Sequence, residues 1–160
     1  MLAVAGRVEW VLLAYRLPRE PSTPRITLWR KLRRLGVVQL LDGLVALPAD
    51  ARTREQLEWL ADEVVDAHGE ASLWVGRLAS AAQERELAAR MAEAVADDYR
   101  HVIDEAGAAA TEPDAVRRRT LGRLRRELRR LSQRDHFPPQ ERAAARQAVE
   151  ALAKALEPTP

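Results

Sequence analysis

The chain has 160 residues, which is the size of one folded domain. Its residues are 47% hydrophobic and 31% charged, and its formal net charge is +2. This composition excludes intrinsic disorder over most of the length of the chain. The absence of cysteine excludes disulfides, cysteine zinc sites, iron–sulfur clusters and a thiol nucleophile. The sequence shows neither the pattern of a signal peptide nor an apolar stretch close in length to the roughly 18 residues of a membrane helix. We therefore expect a cytoplasmic protein with no membrane partner.

The first predicted strand covers residues 8–17, which are apolar on both alternating faces as in a central strand. Pro18 ends it. From Pro24 to Leu35, leucines recur at helical spacing and Gly36 follows as a C-terminal cap. This pattern predicts an amphipathic helix with a basic outer face.

Asp42-Gly43 separates two apolar runs, residues 37–41 and 44–47. Such a dipeptide is typical of a two-residue hairpin turn with positive φ at both central residues. We therefore predict a β-hairpin here.

Thr53 to Gln56 reads as a capping box that begins a second helix, which Gly69 ends. A further strand is predicted over residues 71–78. The order βαββαβ matches the ferredoxin-like fold, an antiparallel four-stranded sheet with two helices on one face. We predict an α+β protein with this ferredoxin-like unit over residues 1–80.

Three helices are predicted after the sheet. The first follows a capping box at Ser80 and ends at Gly107, the second ends before Pro138, and the third carries the apolar positions of residues 145–156. We expect this extension, residues 81–157, to pack on the sheet, so that the whole chain forms one structural domain.

The second of these helices has an apolar stripe of four leucines at 3-4-3 spacing, Leu121, Leu124, Leu128 and Leu131. Together with a half-covered sheet, the stripes of the late helices offer apolar surface that a chain of this length has to bury. On this basis we expect a homodimer.

Charge is unevenly distributed: the net charge is +4 over residues 1–50, −9 over 51–116, +8 over 117–134 and −1 over 135–160. The planar guanidinium group suits phosphate and other oxyanions. We therefore predict DNA or another polyanion as a partner. Internal neutralisation by the acidic segment is an equally open alternative. The candidate binding residues are Arg30, Arg33 and Arg34 in the first helix and Arg118, Arg119, Arg125, Arg126 and Arg129 in the Arg-rich helix.

Recognisable catalytic motifs are absent from the sequence. His68, His101 and His136 lie in different elements without metal-ligand spacing, and glycine-rich phosphate loops and the G-x-S-x-G motif do not occur. We expect His68 to cap a helix. We predict a non-enzymatic protein without metal or cofactor.

The four tryptophans, Trp10, Trp29, Trp59 and Trp74, fall one in each of the first long elements. We assign them to core or interface packing ahead of base stacking.

Several segments, read in order, resemble the N-terminal domain of the ChrB family of chromate-resistance regulatory proteins. They are residues 10–22, residues 25–36, residues 55–60 and the step Arg134-Asp135-His136-Phe137 that joins the last two helices. The resemblance implies a regulator that represses or senses at a promoter. It also implies a second, C-terminal domain of similar size, which this sequence lacks, and this leaves open a fragment or a stand-alone relative.

The first half also resembles the ferredoxin-like domain of PaaX-type repressors and of small CRISPR-associated nucleases. Those nucleases carry a metal-binding aspartate at the end of the first strand. Here that stretch reads Ala14-Tyr15-Arg16-Leu17, which argues against a nuclease. Two hypotheses remain: a regulatory module with an Arg-rich face for nucleic acid or oxyanions, and a protein-interaction or dimerisation scaffold that does not bind nucleic acid.

Overall fold

A computed structural model describes residues 7–158 of the chain. In this range it shows a mixed α+β protein with a four-stranded antiparallel sheet and five helices, which confirms the predicted class. The chain divides into two compact units, Met1–Arg90 and Met91–Pro160. The elements are β1 (Trp10–Arg16), α1 (Thr23–Leu35), β2 (Val38–Leu41), β3 (Leu44–Pro48), α2 (Ala51–Asp66), β4 (Glu70–Gly76), α3 (Ala81–Ala109), α4 (Asp114–Arg134) and α5 (Gln140–Lys154).

The sheet of the first unit has the strand order β2-β3-β1-β4, and each neighbouring pair is antiparallel. The central strand β1 buries Val11 and Leu13 completely. The two helices supply their buried leucines to the core of the same unit, Leu28 and Leu32 from α1 and Leu57 and Leu60 from α2. Val11 and Leu13 lie on one face of β1, and Trp10 is buried on the opposite face, so β1 is covered on both sides at its start.

Helix α1 has the ends that its sequence predicts. Pro24 lies in its first turn, where the missing N–H costs no hydrogen bond. Gly36 adopts a left-handed φ of 75°, and its N–H donates to the carbonyls of Leu32 and Arg33. The amphipathic helix and its glycine cap are confirmed.

The predicted hairpin is present, but its turn differs from the expected one. Gly43 has a φ of 75°, whereas Asp42 is not among the described residues with positive φ. The register shifts between Gln39 and Leu41, so β2 has one extra residue next to the turn. The carbonyl of Gly43 accepts a hydrogen bond from the Tyr15 N–H at 2.8 Å, which fixes the hairpin against β1.

The capping box of α2 involves Thr53, but not in the predicted role. Asp50 is the N-cap: its carboxylate accepts from the Thr53 N–H at 2.8 Å, and the Thr53 hydroxyl accepts from the Asp50 N–H at 2.9 Å. Thr53 is therefore the third helical residue, and the helix begins earlier than predicted. The reciprocal pair satisfies two N–H groups that the first turn leaves unpaired.

At the end of α2, His68 and Gly69 have roles different from the predicted ones. His68, not Gly69, takes the left-handed conformation, with a φ of 65°. Gly69 is required for a different reason, because a Cβ there would collide with the main-chain oxygen of Arg16 and crowd Val64. The glycine thus allows the chain to approach β1 closely as it enters β4.

The second unit is built from α4, α5 and most of α3. Its buried cluster contains Val95, Tyr99 and Val102 from α3, Leu121, Leu124 and Leu131 from α4, and Ala145, Val149 and Leu152 from α5. Helix α3 continues past Gly107, the predicted end, to Ala109. Because the leucine stripe of α4 is buried within the chain, it offers no surface for a homodimer, and that part of the argument for one was wrong.

The tryptophans do not all pack as predicted. Trp10 is buried in the core, whereas Trp29, Trp59 and Trp74 are exposed. The core assignment was wrong for these three, and interface packing stays a prediction. Within residues 7–158, every helix is too short or too polar to cross a membrane.

Candidate nucleic-acid interface

Helix α4 buries its leucines and directs most of its arginines outward. Leu121, Leu124 and Leu131 are buried, and Leu128 is half-buried beside them. Since residues three, four and seven apart share one face of a helix, Arg117 falls on the leucine face, where its side chain is only 20% exposed. Most of the other arginines, between positions 118 and 134, lie on the flanks and the outer face.

Four of these nine arginines are paired with carboxylates. Two reach across to α3: Arg123 pairs with Glu105, and Arg134 lies 2.7 Å from Asp98. Two pair within their own helix, Arg117 with Asp114 and Arg130 with Glu127. Internal neutralisation is therefore real, and it accounts for the flank that faces α3.

The other five arginines of α4 are the ones that the sequence analysis selected. Among residues 7–158, none of them has a carboxylate within 4 Å, and all five are exposed. They are Arg118, Arg119, Arg125, Arg126 and Arg129, and we call them the free α4 arginines. An exposed guanidinium without an internal partner keeps its hydrogen-bond donors available for an external anion.

The candidate residues of α1 lie in the other compact unit. Arg30, Arg33 and Arg34 are exposed, and within the described residues they have no carboxylate partner, whereas their neighbour Lys31 is 2.7 Å from Glu63. The two basic sets thus belong to separate units of the chain.

A buried polar cluster joins the three helices of the second unit. The Tyr99 hydroxyl donates to Asp135 Oδ2 at 2.7 Å, and Arg142 Nη1 lies 3.7 Å from the same oxygen. The side chain of Asp135 is fully buried, and its Oδ1 has no hydrogen-bond partner in the described structure. The step Arg134-Asp135 therefore links the end of α4 to α3, through Asp98 and Tyr99, and to α5.

Sequence reasoning found the Arg134-Asp135 step as part of a family resemblance but missed its partners. Tyr99 is separated from Asp135 by 36 residues. The available signal was a tyrosine on the apolar stripe of α3, since a buried hydroxyl needs a hydrogen-bond partner.

The buried polar cluster should affect the stability of the protein at alkaline pH. Burial raises the pKa of Tyr99 above its ordinary value of 10.0, and the hydrogen bond to Asp135 and the charge of that carboxylate raise it further. The unfolded chain loses the Tyr99 proton at lower pH than the folded chain does. The contribution of the protonated hydroxyl to the free energy of unfolding is therefore complete below pH 10.0, and it is lost progressively above that pH. In urea titrations from pH 7 upward, Tyr99→Phe should lose stability less steeply above pH 10 than the wild type.

Tyr15 has a raised pKa as well, mainly through burial, so Tyr99→Phe should retain part of the alkaline decline. Equal slopes for the wild type and the variant would contradict the assignment to Tyr99.

Residues 7–158 contain no group of three histidines or carboxylates close enough to hold a metal ion.

Comparison with known proteins assigns the chain to a family. The family model "Protein ChrB, N-terminal" matches residues 25–118, which is more than half of the sequence. The chain belongs to the ChrB N-terminal family. Over 85 residues it is 31% identical to Protein ChrB of Cupriavidus metallidurans, and that match covers 53% of this chain and 26% of the relative. No solved structure matches the chain.

The ChrB family match extends from α1 to the start of α4. It therefore includes Arg30, Arg33 and Arg34, and it ends at Arg118. The matched segment of the relative amounts to about a quarter of that protein's length.

Proposed function

We propose that this chain is a non-enzymatic regulatory module of the chromate-resistance type, acting in the cytoplasm and associated with transcription, and that the free α4 arginines bind nucleic acid through its phosphate backbone. Membership of the ChrB N-terminal family supports the regulatory part. The observation that carries the binding part is the division of α4, in which four arginines are neutralised and five are exposed without a partner.

The spacing of the free α4 arginines suits an extended anion. Positions 118, 125 and 129 follow one flank of the helix and span about 16 Å at roughly 1.5 Å per residue. A DNA duplex carries about one negative charge per 1.7 Å of its axis, so a row of this length meets several phosphates. Contacts of this kind give affinity without choosing a sequence.

We test this proposal with two double variants that remove the same charge from α4. Arg125→Ala/Arg129→Ala removes two free arginines, and it should weaken binding to all DNA sequences alike and flatten the salt dependence by about two units of slope. Arg123→Ala/Arg130→Ala removes two arginines already paired with Glu105 and Glu127, and it should leave the slope nearly unchanged. The measurement is DNA affinity by fluorescence anisotropy over a series of salt concentrations.

Because both double variants change the net charge equally, long-range attraction falls equally in both. The difference between them therefore isolates direct phosphate contacts. Absence of DNA binding by the wild type at low salt, or equal losses for both variants, would overturn the nucleic-acid proposal.

We also propose that the first unit has the ferredoxin-like topology, followed by a three-helix extension. The strand order β2-β3-β1-β4 and the antiparallel pairing of every neighbouring pair support this assignment.

The second candidate function is a homodimerisation or protein-interaction scaffold. The exposed tryptophans Trp29, Trp59 and Trp74 favour it, because large aromatic side chains are enriched at protein interfaces. The two functions are compatible within one regulatory protein, and we include the homodimer in the proposal.

A further inference from the structure

Strand β4 forms a regular, open edge of the sheet. It is the last strand in the order β2-β3-β1-β4, and it pairs with β1 along its whole length, from Glu70 to Gly76, without a register shift. Its sequence contains neither proline nor lysine, the residues that commonly block pairing at an edge. Within residues 7–158, its outer side has no partner strand.

The hydrogen bonds of β1 show which groups of β4 point outward. The Tyr15 N–H donates to Gly43 on the β3 side, so the odd-numbered residues of β1 face β3 and the even-numbered ones face β4. Leu12 is opposite Trp74, and the even-numbered residues of β4 therefore bond to β1. The outward main-chain groups are those of Ala71, Leu73 and Val75.

The opposite edge of the sheet, β2, is protected in two ways. Its register shifts between Gln39 and Leu41, and a shift of this kind interrupts regular pairing. The carbonyl of Gln39 also accepts a hydrogen bond from Arg90 at 3.0 Å, so a side chain already occupies a main-chain acceptor of this strand. Neither device is present on β4.

Apolar side chains lie on both faces of the open edge. Trp74 is 63% exposed on one face of the sheet, and Val75 is 45% exposed on the other. The Trp74 indole N–H donates to the Ser72 hydroxyl at 2.9 Å, which holds the ring beside the strand. An edge that is both apolar and unpaired favours addition of another strand.

We infer that β4 pairs antiparallel with β4 of a second copy of this chain, about a two-fold axis at Leu73. The inference rests on the homodimer included in the proposed function and names its surface. A register centred on Leu73 uses the whole strand. Leu73 is opposite Leu73 of the second copy, and Ala71 is opposite Val75 of the second copy.

Charge favours a second copy in this antiparallel orientation. Glu70 lies at one end of the strand, 2.7 Å from Arg16 of the same chain, and Arg77 follows the other end. Antiparallel pairing therefore brings Arg77 of each copy beside the Glu70 carboxylate of the other. A parallel arrangement would place like charges together. The axis runs perpendicular to the sheet, so the helices of both copies lie on the same face of one continuous sheet.

The first test measures self-association by sedimentation equilibrium. The wild type should be a dimer at micromolar concentration. Val75→Lys and Trp74→Ala should each raise the dissociation constant of the dimer about 30-fold, the loss typical of an interface hot spot. Leu41→Ala is the matched control, since Leu41 is 68% exposed but lies on β2 at the opposite edge of the sheet, and this variant should dimerise like the wild type.

The second test uses the absence of cysteine from the chain. Opposed residues of a hydrogen-bonded antiparallel pair have Cα atoms about 5.5 Å apart, within the range of a disulfide. Leu73→Cys should therefore form a covalent dimer under mild oxidation, whereas Leu41→Cys on the opposite edge strand, at the same concentration, should not. This arm decides the question even if Val75→Lys fails to fold.

The outcomes separate the inference from the proposal on which it rests. A wild type that is monomeric at micromolar concentration overturns both the homodimer and the β4 interface. A dimer that resists Val75→Lys and whose Leu73→Cys variant does not cross-link keeps the homodimer and overturns the β4 interface. Neither result changes the DNA-binding test of α4.

Discussion

Leu124→Ala is expected to lower the free energy of unfolding by about 2–5 kcal/mol, because it removes a fully buried side chain and leaves a cavity. Leu124 is 1% exposed and belongs to the buried cluster of the second unit, whose members include Tyr99 on α3 and Val149 on α5. Because this cluster joins α3, α4 and α5, a cavity in it weakens the packing of the whole unit. Urea titration followed by circular dichroism measures the change as a shift of the midpoint at constant slope.

Two variants on the same helix serve as controls. Leu128 is only half-buried, so Leu128→Ala should cost less than Leu124→Ala. Arg125 is exposed and unpaired, so Arg125→Ala should change the stability by no more than about 0.5 kcal/mol. If Arg125→Ala destabilised the protein as much as Leu124→Ala, the outer face of α4 would be a packing face, and the nucleic-acid proposal would lose its basis.

Periodicity and turn residues predicted where the helices and strands lie. The doubly apolar run of β1, the 3-4-3 leucine stripe of α4 and the glycine cap of α1 are local patterns, and each one is present in the structure. These features depend on neighbours within one turn of helix or along one strand, so the sequence contains the information that determines them.

Details decided by distant contacts were not predictable in the same way. Gly69 looked like a helix cap, but the close approach of Arg16, more than 50 residues earlier, determines the need for glycine. The residue with positive φ at this helix end is His68. Likewise, Asp50 and Thr53 are both good capping residues, and the choice between them depends on where β3 ends.

The same limit applied to the candidate site. The arginine-rich segment was evident from the sequence, but which arginines stay free depends on where α3 places its acidic residues. Asp98 and Glu105 are the partners of Arg134 and Arg123, and they lie too far from them along the sequence for a local pattern to reveal the pairing. Tertiary contacts of this kind turned a segment of uniform charge into one neutralised flank and one exposed flank.

Asp135→Ala is expected to cost about 3 kcal/mol of stability. The substitution leaves the buried Tyr99 hydroxyl without an acceptor and removes the carboxylate 3.7 Å from Arg142. Breaking a buried charge pair costs about 3–5 kcal/mol, and the lower end applies because Arg142 is 28% exposed and water can solvate it.

A double-mutant cycle with Tyr99→Phe separates the hydroxyl from the rest of this loss. In the Tyr99→Phe background no hydroxyl is left unpaired, so adding Asp135→Ala should cost about 1–3 kcal/mol less than it does in the wild type. Urea titrations of the four proteins at pH 7 measure this coupling. Strictly additive losses would mean that the two side chains stabilise the unit independently. In that case the Arg134-Asp135 step would join α4 to α5 without holding both of them to α3 through Tyr99.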